Sequence, residues 1–296
     1  PDPTPSPDAD IVLMESTYGD RDHKPFEQTL EEFAGILRDA VQQGGKILIP
    51  SFALERTQDL LFHIARLEEA GAIPKLPVFV DSPLASRIEE TYASARYEFE
   101  PDVQRFYSGN RDPFQPANLK YTKTVDDSKA LNDLKGAALI IAGGGMMTGG
   151  RILHHMRNNL SNSSTSLVIV GFQPEGGLGR RLIDGANTVR IMGEEVSVRA
   201  RVFTVNGFSA HADRTELLEW SQSVTGQIRL VHGEVRSMES LRAALQARGQ
   251  RAELQPSSHS HARGWAARGK RVRSRVASRG GTGCHCRLAL EMRGSS

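Results

Sequence analysis

Cysteine is nearly absent from this chain of 296 residues, and its two cysteines, Cys284 and Cys286, stand two apart near the carboxyl end. A disulfide framework is therefore excluded as the source of stability. Long apolar runs are also missing. Nothing approaches the roughly 20 consecutive apolar residues of a membrane-spanning helix, so no membrane partner is expected. The opening PDPTPSPDAD is proline-rich and acidic, without the basic and apolar segments of a secretory leader. The expected location is the cytoplasm. A basic surface is lacking too. The net charge of +2 hides a division, because nine of the 37 Lys and Arg but one of the 35 Asp and Glu follow Gln255. The body before that point is acidic, and charge alone does not announce a nucleic-acid partner. What remains is ordinary for a soluble protein: 39% hydrophobic and 24% charged residues, in a length that suits one large or two modest domains.

Short apolar runs alternate with amphipathic stretches. Ile11 to Met14 reads as a strand. Leu30, Phe33, Leu37 and Val41 then mark one face of a helix that Gly44-Gly45 ends. Strands are expected at Lys46 to Pro50, Pro77 to Val80, Ala138 to Ala142, Leu167 to Val170 and Gln227 to Val231. Helices are expected at Ala53 to Glu69, after Ser82-Pro83, at Thr148 to Asn158, near Leu178 to Asp184, from Asp213 to Trp220, and at Met238 to Arg248. The stretch from Glu98 to Lys135 is irregular. Val189 to Val205 turns at Gly193-Glu194, as an antiparallel hairpin does. Strand-helix alternation predicts an α/β fold with a parallel sheet flanked by helices. After about Pro256 no apolar period lasts, and disorder is expected.

Three strand ends carry the chemistry. Glu15 closes the first strand in Glu-Ser-Thr-Tyr-Gly. His211 lies in Phe-Ser-Ala-His-Ala-Asp after another strand-like run, and His232 follows Ile-Arg-Leu-Val. In an open α/β sheet, ligands and catalytic groups collect at carboxyl ends of strands. Taken alone, each has a plain structural reading: a turn carboxylate, a helix-capping histidine and a polar strand terminus. Asp213 with Glu216 fits a capping box. Two glycine-rich loops, Gly143 to Arg151 and Gly176 to Arg181, precede helices and could meet an anion through backbone N–H groups, though tight packing explains such glycines equally well. Neither is a P-loop. His154 and His155 are adjacent on a helix and cannot share one site, and His63 reads as a partly buried helix residue. His23 lies near the first strand end. Cys284-His285-Cys286 is too tightly spaced for a zinc finger.

The segments ESTYGDR, PSFALERTQDLL, DSPLA, GMMTGGRILHHM, GFQPEGGLGRRL, FSAHAD and VHGE occur here in this order. Together they resemble the β-CASP group of metallo-β-lactamase-fold nucleases, in its bacterial RNA-processing branch, from about Asp10 to Leu254. The resemblance implies one metallo-β-lactamase strand within residues 1–18, a β-CASP domain at 19–199, the carboxyl-terminal part of a metallo-β-lactamase αββα domain at 200–255, and a basic tail at 256–296. It implies zinc-dependent hydrolysis of RNA by two zinc ions, His232 as a metal ligand, His211 as the proton donor, and Glu15 as its catalytic partner. Substrate contacts are expected from Ser209, Arg56, Asp81, Ser82, Gly149, Gly150 and Arg180, and the partner expected is single-stranded RNA, with a homodimer left open. Endonuclease or exonuclease mode is not fixed.

The family's His-x-His-x-Asp-His motif, which precedes the ESTYG strand, is not in these residues. The chain is therefore expected to be a fragment that is inactive alone and poorly soluble through an open sheet edge. The alternative reading is a non-catalytic RNA-binding or scaffolding subunit.

Overall fold

A computed structural model describes residues 3–6, 9–99, 101–106, 112–255, 274–275 and 290–292. In chain order, β1 (Ile11–Glu15) is followed by α1 (Phe26–Gln42), β2 (Lys46–Ser51), α2 (Arg56–Glu69), β3 (Pro77–Asp81) and α3 (Pro83–Ser94). Next come α4 (Pro101–Phe106), β4 (Asn118–Tyr121), α5 (Val125–Ala130), β5 (Ala138–Gly143), α6 (Ile152–Asn159) and β6 (Ser166–Ile169). Then follow α7 (Leu178–Ile183), β7 (Thr188–Ile191), β8 (Glu194–Ser197), β9 (Arg201–Thr204), α8 (Arg214–Trp220) and β10 (Gln227–Val231). Last are α9 (Val235–Ala247), β11 (Ala252–Leu254), β12 (Ser274–Arg275) and β13 (Leu290–Met292). The chain divides into two compact units, one of residues 24–209 and one that joins 1–23 to 210–296.

The larger unit is built on a six-stranded sheet in the order β4-β3-β5-β2-β6-β9, parallel throughout. Its central strand β2 is buried along its whole length. Successive side chains feed two cores, as the pleat requires. Ile47, Ile49, Leu139 and Ile141 pack with Phe33 and Leu37 of α1 and Leu60 and Ile64 of α2. Leu48, Ile140 and Ala142 pack on the other face with Ile152 and Met156 of α6 and with the β7–β8 hairpin. A strand buried on both faces reads as a continuous apolar run, which is why Lys46 to Ser51 shows no alternation. The hairpin is antiparallel and turns at Met192 and Gly193, both at positive φ. The strand after it, β9, joins the large sheet beside β6.

Strand β4 was not expected in the irregular stretch. It lies at the sheet edge and alternates exposed and half-buried residues, so it carries little apolar signal. Helices α2 and α6 begin three and four residues later than the apolar pattern suggests. Loops at the ends of β2 and β5 take up the difference. Glu55 stands at φ 63° in the first, and the second folds back so that a Cβ on Gly144 would sit 2.2 Å from the Gly149 carbonyl oxygen.

In the smaller unit β11, β10 and β1 are parallel neighbours. Val12, Met14, Ile228 and Leu230 are buried with Leu217, Leu218, Leu241 and Leu245 of α8 and α9. The expected open edge of β1 is not found, because β13 pairs with it antiparallel on the side away from β10. Five residues of the tail are thus strand rather than disordered. The rest of the expectation for the tail, including Cys284-His285-Cys286, lies outside the described residues.

Candidate active site

The register of β1 on β10 sets Glu15 opposite Val231, so His232 follows one residue beyond the paired ends. Ser16 donates from its hydroxyl to the Val231 carbonyl at 2.8 Å, and Thr17 donates to the His232 carbonyl at 2.9 Å. These bonds hold His232 at φ 52°, a left-handed conformation unusual for a residue with a side chain. Gly233 is required next. A Cβ there would lie 2.5 Å from the Ser16 hydroxyl and 2.6 Å from its carbonyl oxygen.

His211 arrives from the segment ahead of α8. The expected capping box is present in full: Asp213 accepts from the Glu216 amide at 2.9 Å, and Glu216 accepts from the Asp213 amide at 3.0 Å. The His23 amide donates to Asp213 at 3.2 Å. The His23 Nε2 lies 3.0 Å from the His211 carbonyl oxygen, and its ring stands edge-on to Tyr18 at 4.5 Å. His23 therefore secures the backbone of the segment that carries His211.

The three candidate residues come together, although His211 lies seven residues past the end of β9 rather than at a strand end. His211 Nδ1 lies 3.0 Å from Glu15 Oε2, and the His211 and His232 rings stack at 5.1 Å. One ligand atom from each of Glu15, His211 and His232 lies within 4.8 Å of the others, the group among the described residues that could hold a metal ion. The hydrogen bonds divide their roles. Glu15 accepts from the Ala212 amide at 3.1 Å and the Thr17 amide at 3.2 Å as well as from His211. Burial works to raise the Glu15 carboxyl pKa. The bonds from His211 and Thr17, together with the His211 charge, outweigh it and hold the group below the ordinary glutamate value. A carboxylate so engaged orients an imidazole better than it binds a metal. His232 is exposed, and its Nδ1 lies 3.1 Å from the Thr17 hydroxyl. A ring held by one nitrogen offers the other outward, the usual arrangement of a metal-binding histidine. The residues thus fit a metal through one free ring, short of the three protein ligands that a catalytic zinc takes.

Thr17 was missed from sequence. It is buried at 2% exposure, and its hydroxyl stands between the two imidazoles, 3.4 Å from His211 Nδ1. Its place two residues after Glu15 in the same strand-end turn was the available signal.

The expected substrate contacts Arg56, Asp81, Ser82, Gly149, Gly150, Arg180 and Ser209 belong to the larger unit. Arg56 opens α2 and pairs with Asp59 at 2.7 Å. Arg180 pairs with Asp184 at 2.9 Å on α7. Ser82 caps α3 by accepting from the Ala85 amide at 3.2 Å. Ser209 is half-buried after a short turn, its amide donating to Asn206 at 3.0 Å. Gly150 is exposed at φ 85°, and a Cβ there would meet the Gly143 carbonyl at 2.1 Å, whereas Gly149 faces open space. Close packing therefore accounts for Gly150 but not for Gly149.

Asp81 needs correction. Its side chain is fully buried and accepts from Arg151 at 2.5 Å, Ser128 at 2.6 Å, His155 at 2.6 Å and the Thr122 hydroxyl. No part of it is free to reach a substrate. Burial alone would raise its pKa, but these bonds hold it well below the carboxylate range. His155 is structural, as expected. His63 is too: it pairs with Asp59 at 3.1 Å and packs on Phe26, Phe62 and Phe208.

Residues 57–182 match the Beta-Casp domain, and residues 195–256 match the Zn-dependent metallo-hydrolase RNA specificity domain. The chain is 44% identical to Ribonuclease TTHA0252 of Thermus thermophilus over 254 residues, 86% of this chain and 58% of that protein. It is 30% identical to Transcription termination factor FttA of Cenarchaeum symbiosum over 256 residues, 81% of this chain and 39% of that protein. It is 29% identical to an RNase J-like protein of Methanocaldococcus jannaschii over 229 residues, 76% of this chain and 52% of that protein. The chain thus spans between about two fifths and three fifths of these relatives' lengths. The motifs, the two domain matches and these relatives agree: the chain belongs to the β-CASP group of the metallo-β-lactamase-fold family.

Proposed function

We propose that this chain serves in zinc-assisted hydrolysis of RNA phosphodiester bonds, with His211 as general acid, Glu15 as its positioning partner and His232 as a zinc ligand. The observation that carries this reading is the 3.0 Å contact between His211 Nδ1 and a Glu15 carboxylate already fixed by two backbone amides. Such a carboxylate holds the ring in one orientation and directs Nε2 away from itself. A leaving alkoxide needs a proton, and an imidazole near neutrality supplies one. A bound zinc would supply an activated water and neutralise phosphate charge. Thr17 spaces the acid from the ligand ring through one hydroxyl. The glycine-rich loop from Gly143 to Gly150, with Gly149 open, is suited to backbone contacts with a phosphate. Cytoplasmic RNA processing or decay is the setting that fits this chemistry.

The test is zinc-dependent cleavage of labelled RNA by a protein that contains this chain. His211→Ala and Glu15→Gln should each lower the turnover rate by about 10²- to 10⁴-fold while leaving RNA binding intact. An unchanged rate in either variant refutes the assignment. The 296-residue chain by itself should bind RNA without cleaving it, because one free ring does not hold a catalytic zinc. Cleavage by that chain, lost in His232→Ala, would overturn the ligand count.

A further inference from the structure

Thr17 is buried, and its hydroxyl has three neighbours within the smaller unit: the His232 carbonyl oxygen at 2.9 Å, His232 Nδ1 at 3.1 Å and His211 Nδ1 at 3.4 Å. A hydroxyl carries one proton and two lone pairs. A carbonyl oxygen only accepts, whereas a ring nitrogen donates or accepts according to its tautomer. With the hydroxyl proton on the His232 carbonyl, a lone pair of the same oxygen faces His232 Nδ1, and a proton on that nitrogen completes a second bond. With the hydroxyl turned to Nδ1 instead, one bond is lost. Two oxygens then stand 2.9 Å apart with no hydrogen between them. A buried acceptor left without its donor is costly, so the first arrangement wins.

His211 follows the same rule. Glu15 Oε2 takes the Thr17 amide at 3.2 Å and His211 Nδ1 at 3.0 Å. A carboxylate that already holds backbone amides only accepts, so this ring nitrogen carries a proton too. The two stacked rings thus turn Nδ1–H toward one buried oxygen.

We propose that Thr17 is a positioning residue that selects the Nδ1–H tautomer of His232 and so leaves the lone pair on Nε2, the nitrogen that would take a metal. Histidine in water prefers the opposite tautomer, with its proton on Nε2, where no lone pair would remain for an ion. Thr17 works against that preference, as the partner of a metal-binding histidine must. Its β-branched side chain has few rotamers, which keeps the hydroxyl where both bonds form. The bond to the carbonyl also holds the left-handed turn at His232, φ 52°. One hydroxyl therefore sets both the backbone and the proton of this residue. The use of that lone pair rests on the reading of His232 as a zinc ligand, whereas the tautomer itself belongs to the metal-free chain.

The metal-free chain, isotope-labelled in its histidines, is read by long-range proton–nitrogen correlation at about pH 8.5, well above the ordinary imidazole pKa of about 6.5. His232→Ala assigns the signal. His232 should show a proton on Nδ1 and a bare Nε2. Thr17→Val keeps the branched shape without the hydroxyl, and should shift the tautomer ratio toward Nε2–H by about fivefold or more, the worth of one hydrogen bond. Thr17→Ser should restore the original ratio. In a protein that contains this chain, chelator competition should find zinc affinity about 10- to 100-fold weaker in Thr17→Val and mostly recovered in Thr17→Ser. A proton on Nε2 of His232 in the unsubstituted chain overturns the proposal, and that reading needs no variant to fold. An unaltered ratio in folded Thr17→Val overturns it equally. A shifted ratio with unchanged zinc affinity refutes the link to metal. Failure of the hydrolysis reading shows instead as undiminished RNA cleavage in His211→Ala and leaves the tautomer untouched.

Discussion

Asp81→Asn is the substitution whose cost the structure fixes most closely. The amide has the carboxylate's shape but keeps only one oxygen. On the carboxylate, one oxygen takes Arg151 and Thr122, and the other takes Ser128 and His155. Whichever way the amide turns, its NH2 group faces one hydroxyl, which can turn to accept, and one N–H donor, Arg151 or His155, which loses its acceptor. The orphaned donor costs about 1–3 kcal/mol, and breaking a buried ion pair by removing one partner costs about 3–5 kcal/mol. The two figures overlap in what they count, so about 3–5 kcal/mol is expected in all. For a unit of this size that lowers the melting temperature by about 6–20 °C. The pH dependence is equally constrained. The folded pKa of Asp81 lies well below its unfolded value. Its stabilisation is therefore complete above the unfolded pKa and is lost only as pH falls through the depressed folded one. The gap between parent and variant should stay flat from about pH 8 to about pH 5 and close only in stronger acid. Urea unfolding followed by circular dichroism at several pH values measures it. A deficit under about 1 kcal/mol, or one that shrinks between neutrality and pH 5, would refute a buried, saturated carboxylate.

Other substitutions probe other parts. Gly207→Ala should destabilise by about 1–3 kcal/mol in urea, because its Cβ would stand 2.0 Å from the Thr29 hydroxyl of α1. Gly149→Ala meets nothing within 4 Å and should stay within about 0.5 kcal/mol of the parent. Glu15→Gln should lower stability at neutral pH. Since the Glu15 pKa is depressed by folding, that deficit should vanish as pH drops below the ordinary glutamate range, and an acid-titrated melt that keeps it constant would count against the His211 pairing.

How much of this was legible beforehand depends on whether the signal is local. The buried face of α1 shows as Phe33 and Leu37 four apart, and β2 and β5 show as unbroken apolar runs. The Ser82 cap and the Asp213-Glu216 box are written within four residues of each other. Strand β4 escaped because an edge strand needs only one apolar neighbour. The late starts of α2 and α6 escaped because loop closure, rather than side-chain pattern, sets them. The Asp81 network escaped for a third reason. Its donors lie 41 to 74 residues away, and nothing at Asp81 itself names them. A motif resemblance marked the residue as important and could not say whether it faces substrate or core.

The strand-end site was legible because its geometry is a consequence of the core. In β1 and β10 alternate residues are buried, and the register aligns Val12 with Ile228 and Met14 with Leu230. Those pairs face α8 and α9. Glu15, one residue past Met14, must then point the other way, beside Val231. A slip of one residue in β1 would bury the carboxylate and expose Val12 and Met14, so apolar packing fixes the position of Glu15. The strain at His232 is held by the same ends, through bonds from Ser16 and Thr17 that exist only in this register. These side chains need no long-range recognition of each other. Glu15 is the last residue of β1 and takes its direction from the pleat, whereas His232 stands one residue past β10, where a local turn can aim it.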